Sequence, residues 1–163
     1  MRHSRGYSRT QIALHWAVVL LVAAQYIFNG AFSGAWDSIR QGESYAFDPL
    51  ILAHVVGGSL ILALVVWRLV LRLRHGAPSR PENEPGELAT LSHVAHWGFY
   101  ALLGAMTATG FLAWFGGMGA AAQARNVLKL ALLALIGLHV LAVPFHRIVL
   151  KNNAMERMIR PSA

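Results

Sequence analysis

The sequence contains no cysteine, and only 7 of its 163 residues are acidic. Without cysteine the chain can form no disulfide, hold no iron–sulfur cluster through thiolates and attach no haem covalently. Charged residues make up 13% of the chain, whereas soluble domains contain roughly 25%. Hydrophobic residues make up 56%, and the mean hydropathy is +0.47. This composition excludes an ordinary soluble domain and favours a membrane protein.

Apolar residues concentrate in four stretches, at about 11–32, 49–71, 91–115 and 127–150. A helix of about 20 residues crosses the hydrocarbon core of a bilayer, and each stretch is at least that long. A chain segment in lipid must satisfy its own backbone hydrogen bonds, so such segments are helical. The sequence therefore predicts an all-α fold, a transmembrane four-helix bundle, in which residues 1–163 form a single membrane domain.

Basic residues are distributed unevenly between the two predicted sides of the membrane. Eleven of the fourteen fall on the side of the termini and of the connection between the second and third stretches: Arg2, Arg5, Arg9, Arg68, Arg72, Arg74, Arg80, Arg147, Lys151, Arg157 and Arg160. The positive-inside rule assigns that side, and with it both termini, to the cytoplasm. The charge flanks apolar runs instead of forming a patch on a soluble face, which indicates contact with membrane lipid and no nucleic-acid partner. The connection at 33–48 is expected to be a loop on the outer surface.

The histidines are the main candidates for functional residues. Five of the eight histidines lie within the apolar stretches: His15, His54, His96, His139 and His146. An ionisable group in hydrocarbon is costly and is usually functional, and histidine in a helix bundle is a common ligand of haem iron. A membrane haem protein is therefore the first hypothesis, and a non-haem membrane protein with histidines as proton relays is an alternative.

Six short motifs follow one another along the chain. They are Ile12-Ala13-Leu14-His15-Trp16, Leu52-Ala53-His54, the run from Trp67 to Arg74, His93-Val94-Ala95-His96 with Tyr100, Gly137-Leu138-His139-Val140 with His146, and Lys151-Asn152-Asn153 with Met155 to Met158. In this order they resemble the bacterial cytochrome b561 family. The resemblance implies two stacked b haems and a bacterial inner-membrane location. It implies that His15 and His139 hold the cytoplasmic-side haem and that His96 and His146 line a quinone site. Alternatively, His96 or His146 replaces His139 as the ligand opposite His15.

The chain departs from the family pattern at the outer haem. The resemblance implies that His54 shares this haem with a histidine fourteen residues before His139, but that position is Arg125. A guanidinium has no lone pair to offer iron. Either the outer haem is absent, or it is five-coordinate or takes another ligand such as Met118, or the bundle is rearranged. Arg125 is also a candidate partner for a haem propionate.

Three functions remain open from the sequence. The first is a b-type haem membrane cytochrome that carries electrons between the quinone pool and a periplasmic-side donor or acceptor. Its partner would be a periplasmic redox protein or a dehydrogenase subunit. The second is an enzyme, a superoxide oxidase that reduces quinone. The third is a non-haem proton-relay or assembly subunit of the membrane.

Overall fold

The computed structural model describes residues 6–44, 48–76, 84–152 and 155–161. Within these ranges the chain forms five α-helices and one short 3-10 turn at Glu156–Met158. The helices are α1 (Arg9–Ile27), α2 (Asn29–Arg40), α3 (Pro49–His75), α4 (Gly86–Trp114) and α5 (Gly119–Ile148). The described ranges contain no strand, so the all-helical prediction is confirmed.

Local sequence signals fix the ends of α1 and α3. Ser8 Oγ accepts from the Gln11 backbone amide at 3.2 Å, and the Gln11 side chain accepts from the Ser8 amide at 3.0 Å, a reciprocal cap that begins α1. Asp48 caps α3 by accepting from Leu50 N at 2.7 Å. Gly76 ends α3 with φ +75, a conformation that favours glycine.

The first predicted helix and the loop after it need correction. We expected one helix over 11–32 and a loop over 33–48, but α1 ends at Ile27 and α2 runs from Asn29 to Arg40. The break falls where Asn29-Gly30, both weak helix formers, follow the last apolar residues. Ala35 of α2 is buried with Ile51 of α3. The segment after α1 is therefore a packed helix over most of its length, and residues 45–47 lie outside the described ranges.

The other helices extend beyond the apolar runs that predicted them. The third was expected at 91–115 and begins at Gly86, and the fourth was expected at 127–150 and begins at Gly119. The segment Ala120-Ala121-Ala122-Gln123-Ala124 is polar or weakly apolar but contains good helix formers, so hydrophobicity missed it. Arg125, which we placed outside the fourth helix, consequently lies inside α5.

Three described helices, α1, α3 and α5, are long and apolar enough to cross a membrane. The 29-residue α4 is not in this set, and its apolar run contains polar residues. Two of them, Thr107 and Thr109, donate to carbonyls one turn back, at 2.9 and 2.7 Å. Many large apolar side chains are exposed, for example Leu20 at 69% and Leu141 at 68%, as expected for surfaces that face lipid. A fourth span therefore stays a prediction.

Three pairs of the four long helices are in close backbone contact. The most extensive contact is between α4 and α5, followed by that of α1 with α3 and that of α3 with α4. The pairs α1–α5, α3–α5 and α1–α4 are not among them. Helices α1 and α5 meet instead through side chains, as where the Tyr26 hydroxyl donates to the Lys129 carbonyl at 2.7 Å.

Several contacts near the ends of helices gather at one end of the molecule. The indole of Trp16 in α1 donates to the Met158 carbonyl at 3.0 Å, and Glu84 before α4 approaches His146 at the end of α5. The end that holds these contacts and the end of α3 is called the basic end below. Arg2, Arg5 and Arg80, which belong to the predicted cytoplasmic set, lie outside the described residues.

Candidate functional site

Three imidazoles from three helices meet towards the basic end. The ring centroid of His139 in α5 lies 6.4 Å from that of His15 in α1 and 5.7 Å from that of His96 in α4. Phe99 places its ring 5.2 Å from His139, edge to face. All three histidines are half-buried. The sequence predicted functional roles for each, and the structure brings them into one cluster.

The spacing of His15 and His139 fits a pair of axial haem ligands. Two imidazoles on opposite faces of one metal ion, each with a metal–nitrogen bond of about 2 Å, have ring centroids roughly 6 Å apart. The measured 6.4 Å agrees with this. The backbones of the helices that carry the two residues, α1 and α5, are not in close contact, so the two imidazoles face each other without a helix backbone between them. Across the described residues, no three histidine or carboxylate side chains form a chelating group, and the arrangement suits axial ligation.

His96 is placed differently from that pair. Its Nδ1 lies 2.6 Å from the Ser92 carbonyl, and since a carbonyl only accepts, Nδ1 carries the proton and Nε2 keeps its lone pair. Helices α4 and α5 pack closely, which leaves little room for a macrocycle between His96 and His139. The geometry therefore favours His15 over His96 as the ligand opposite His139. His96 is left with an Nε2 lone pair beside the His15–His139 pair.

An open cleft adjoins the histidine cluster at the basic end. Its enclosed volume is about 20 Å³, room for about one water molecule, behind a wider open mouth, and its walls come from the segment before α1 and from α1, α3 and α4. The lining residues are Tyr7, Gln11, Arg68, Arg72, Gly76, His96 and Tyr100. Arg68 also lies close enough for its charge to act on His15, His96 and His139. A cleft with two cations, two phenols and an imidazole suits a ligand that has carbonyl or carboxylate oxygens.

Tyr7 contributes a neutral donor to this cleft. Burial raises the pKa of its phenol, and the charges of Arg72 and Arg68 oppose that effect without cancelling it. The raised pKa keeps the hydroxyl protonated at neutral pH. Tyr7 can therefore donate a hydrogen bond to a carbonyl oxygen bound in the cleft.

His146 does not line this cleft. Its Nδ1 lies 3.1 Å from the Asn152 side-chain amide, and its Nε2 lies 3.9 Å from a carboxylate oxygen of Glu84. The sequence predicted His96 and His146 together as residues of a quinone site. The structure places only His96 at the cleft, with His146 in a separate polar group at the end of α5.

His93, near His96 in sequence, belongs to the exposed edge of the basic end. Its Nε2 accepts from the Trp97 indole at 2.9 Å, and the Arg72 guanidinium lies 5.9 Å from the Trp97 ring centroid. The cation–π contact with Trp97 positions the Arg72 guanidinium at the mouth of the cleft.

At the opposite end, His54 and Arg125 come together. Arg125 Nη2 lies 2.7 Å from His54 Nε2, a contact that joins α5 to α3. The Gln25 amide of α1 donates to the His54 carbonyl at 3.1 Å. The Arg125 stem passes Gly110 of α4, where a Cβ would meet its Nε at 3.5 Å. Met118, the other candidate ligand, lies in the turn before α5 with its side chain 48% exposed and its Cγ near Gly116.

Sequence reasoning missed most of the cleft. It used Arg68 and Arg72 to orient the chain and as part of a family motif but assigned them to no site, and it gave Tyr7 and Gln11 no role. A signal was present: Arg68 and Arg72 are one turn apart and share a face of an otherwise apolar helix. Their convergence with the start of α1 depends on tertiary packing, which a single sequence does not reveal.

Comparisons with known proteins agree on the family. The family model described as prokaryotic cytochrome b561 matches residues 6–161. The chain is 34% identical to a Cereibacter sphaeroides protein named cytochrome b562, over 99% of both chains. It is 32% identical to a Yersinia pestis protein named "Probable superoxide oxidase CybB", over 95% of this chain and 96% of that one.

Proposed function

We propose, since this chain belongs to the prokaryotic cytochrome b561 family, that it is a membrane b-type cytochrome that exchanges electrons with the quinone pool. The observation that carries the proposal is the His15–His139 pair, whose ring centroids are 6.4 Å apart on two helices whose backbones are not in close contact. A b haem held there supplies a one-electron redox centre. In this proposal α1, α3, α4 and α5 cross a bacterial inner membrane as a four-helix bundle with the basic end and both termini in the cytoplasm.

The cleft beside the haem position is the proposed quinone site. A quinone head group has two carbonyl oxygens, and Tyr7 and the arginines can donate to them. On the quinol form, a hydroxyl can donate to His96 Nε2, whose lone pair is kept available by the bond of Nδ1 to Ser92. His96 is thus positioned to take the proton that a quinol releases as it is oxidised, and Arg68 favours anionic groups nearby.

The identity of the second redox partner depends on whether a redox centre lies at the opposite end of the molecule. The sequence predicted a periplasmic-side donor or acceptor, either a redox protein or a dehydrogenase subunit. Such a partner needs a redox centre near the outer face, because the His15–His139 pair lies far from it. Arg125, at the opposite end, is fourteen residues from His139 along α5, about 21 Å.

The likeness to the Yersinia pestis protein favours a second candidate, a superoxide oxidase that passes electrons to quinone. This function requires cations that attract an anion at the opposite end. Two basic side chains, Arg125 and Lys129, lie one turn apart in the first half of α5. The test is to supply superoxide with an oxidised quinone and to follow quinol formation, with heat-denatured protein as the control.

A difference spectrum of the purified protein, reduced minus oxidised, tests the main proposal. We expect a b-type α-band in the wild type, its loss in His15→Ala and His139→Ala, and its retention in His75→Ala. His75 is the matched control because it is exposed at the end of α3 and bonds to its own helix. A wild-type protein without a b-type band contradicts the proposal, and points to the non-haem proton-relay or assembly subunit.

A further inference from the structure

His54 is the residue that the family resemblance assigns to a second haem, and its surroundings in this chain do not fit one. An iron ligand needs an imidazole nitrogen with a free lone pair and an open slot beside it for the macrocycle. In this chain the ring nitrogen of His54 already has a hydrogen-bond partner, and the Arg125 and Gln25 side chains lie beside the residue.

The ring nitrogen is already in use. A guanidinium only donates hydrogen bonds, so at 2.7 Å from Arg125 Nη2 the Nε2 atom of His54 is the acceptor. Its lone pair points at the Arg125 nitrogen. A metal bond of about 2 Å would have to take the same direction. Iron and Arg125 therefore compete for one atom.

Displacing Arg125 would be costly. Its side chain is half-buried among apolar helices, and a guanidinium there depends on its hydrogen-bond acceptors. Its stem also fits against Gly110, where there is no side chain on α4 to obstruct it. The arginine is thus accommodated by two other helices, α3 through His54 and α4 through Gly110.

The space on the α1 side of His54 is filled as well. The Gln25 amide donates to the His54 carbonyl and lies against Gly57, one turn further along α3. Helix α1 packs closely on α3. Helices α3 and α5 are not in close backbone contact, so the space between them at this level is occupied by the hydrogen-bonded side chains of His54 and Arg125.

From these contacts we propose that this chain holds a single b haem, at His15 and His139, and that a His54–Arg125 hydrogen bond between α3 and α5 replaces the second haem. The single haem rests on the function proposed above, whereas the closure at His54 rests on its own contacts. Both electron-exchange partners must then reach the same haem, which lies towards the basic end. A partner at the opposite end is therefore excluded as a direct donor or acceptor.

Haem stoichiometry tests the proposal. Haem is measured by the pyridine haemochrome method against protein concentration, for protein produced with excess haem precursor. We expect about one haem per chain for the wild type and the same for His54→Ala, because His54 binds no iron. A wild-type ratio near two, or loss of haem in His54→Ala, overturns the proposal. A wild-type ratio near zero overturns both this proposal and the function on which it rests.

A gain-of-haem variant makes the test specific to Arg125. Arg125→His supplies a second imidazole and removes the competitor, so we expect its ratio to rise towards two, with a second low-spin haem signal in the electron paramagnetic resonance spectrum. Arg125→Gln is the matched control, because it removes the guanidinium without adding a ligand, and its ratio should stay at one. If Arg125→His stays at one while the protein is folded and carries its first haem, Arg125 is not the group that excludes the second haem.

Discussion

The side-chain amide of Gln25 in α1 occupies the space that a Cβ on Gly57 of α3 would need. The same amide donates to the His54 carbonyl at 3.1 Å. One glycine therefore allows the first and third helices to approach closely at the level of His54. The neighbouring Gly58 has no such role, because nothing lies within 4 Å of a Cβ built there.

This difference predicts unequal effects for two adjacent substitutions. Gly57→Ala should lower the free energy of unfolding by about 1 kcal/mol relative to Gly58→Ala, since the added methyl group displaces the Gln25 amide from its hydrogen bond to the His54 carbonyl. Gly58→Ala should be neutral or raise it by up to about 1 kcal/mol through helix propensity. Thermal unfolding in detergent, followed by circular dichroism, measures both. Equal destabilisation by the two variants would contradict the packing described for Gly57.

The positive charge of Arg68 should raise the midpoint potential of the haem. A cation near the haem favours the reduced form, so Arg68→Gln should lower the midpoint potential. The expected size is tens of millivolts, because a unit charge about 10 Å away at an effective dielectric constant of about 20 is worth roughly 1–2 kcal/mol. Redox titration followed at the α-band gives the value. Arg74→Gln, at an exposed position of the same helix, is the control and should leave the potential nearly unchanged.

His96 and His146 should differ in their effect on quinol oxidation. His96→Gln should slow reduction of the oxidised cytochrome by a short-chain quinol on the order of 100-fold, because it removes the proposed proton acceptor from the cleft. His146→Gln should have a smaller effect, since His146 contacts Asn152 and Glu84 instead of lining the cleft. Stopped-flow spectroscopy measures the rates.

The same pair of variants checks the haem ligands. The α-band should survive in both, because neither histidine belongs to the proposed axial pair. If His96→Gln abolishes the band, His96 is a ligand. If His146→Gln slows the quinol reaction more than His96→Gln does, the cleft is not the quinone site.

The sequence by itself determined the class of the protein. Long apolar runs in a chain with few charges predict membrane helices, because lipid leaves the backbone no other way to satisfy its hydrogen bonds. Histidines inside those runs predicted haem chemistry, and the order of the motifs predicted the family that the comparisons then showed. The start of α3 was also readable, because Asp48-Pro49 is a local signal that acts within one turn.

The tertiary structure determined which residues of different helices come into contact. The cleft joins Tyr7, before α1, to Arg68 of α3 and His96 of α4, and His146 falls outside it although the family resemblance assigned both histidines to a quinone site. The sequence showed that Arg125 stands where a ligand of the second haem is expected, and only the tertiary fold placed its guanidinium on His54 Nε2. Periodicity fixes which residues share a face of one helix, whereas the partner of that face depends on how whole helices pack.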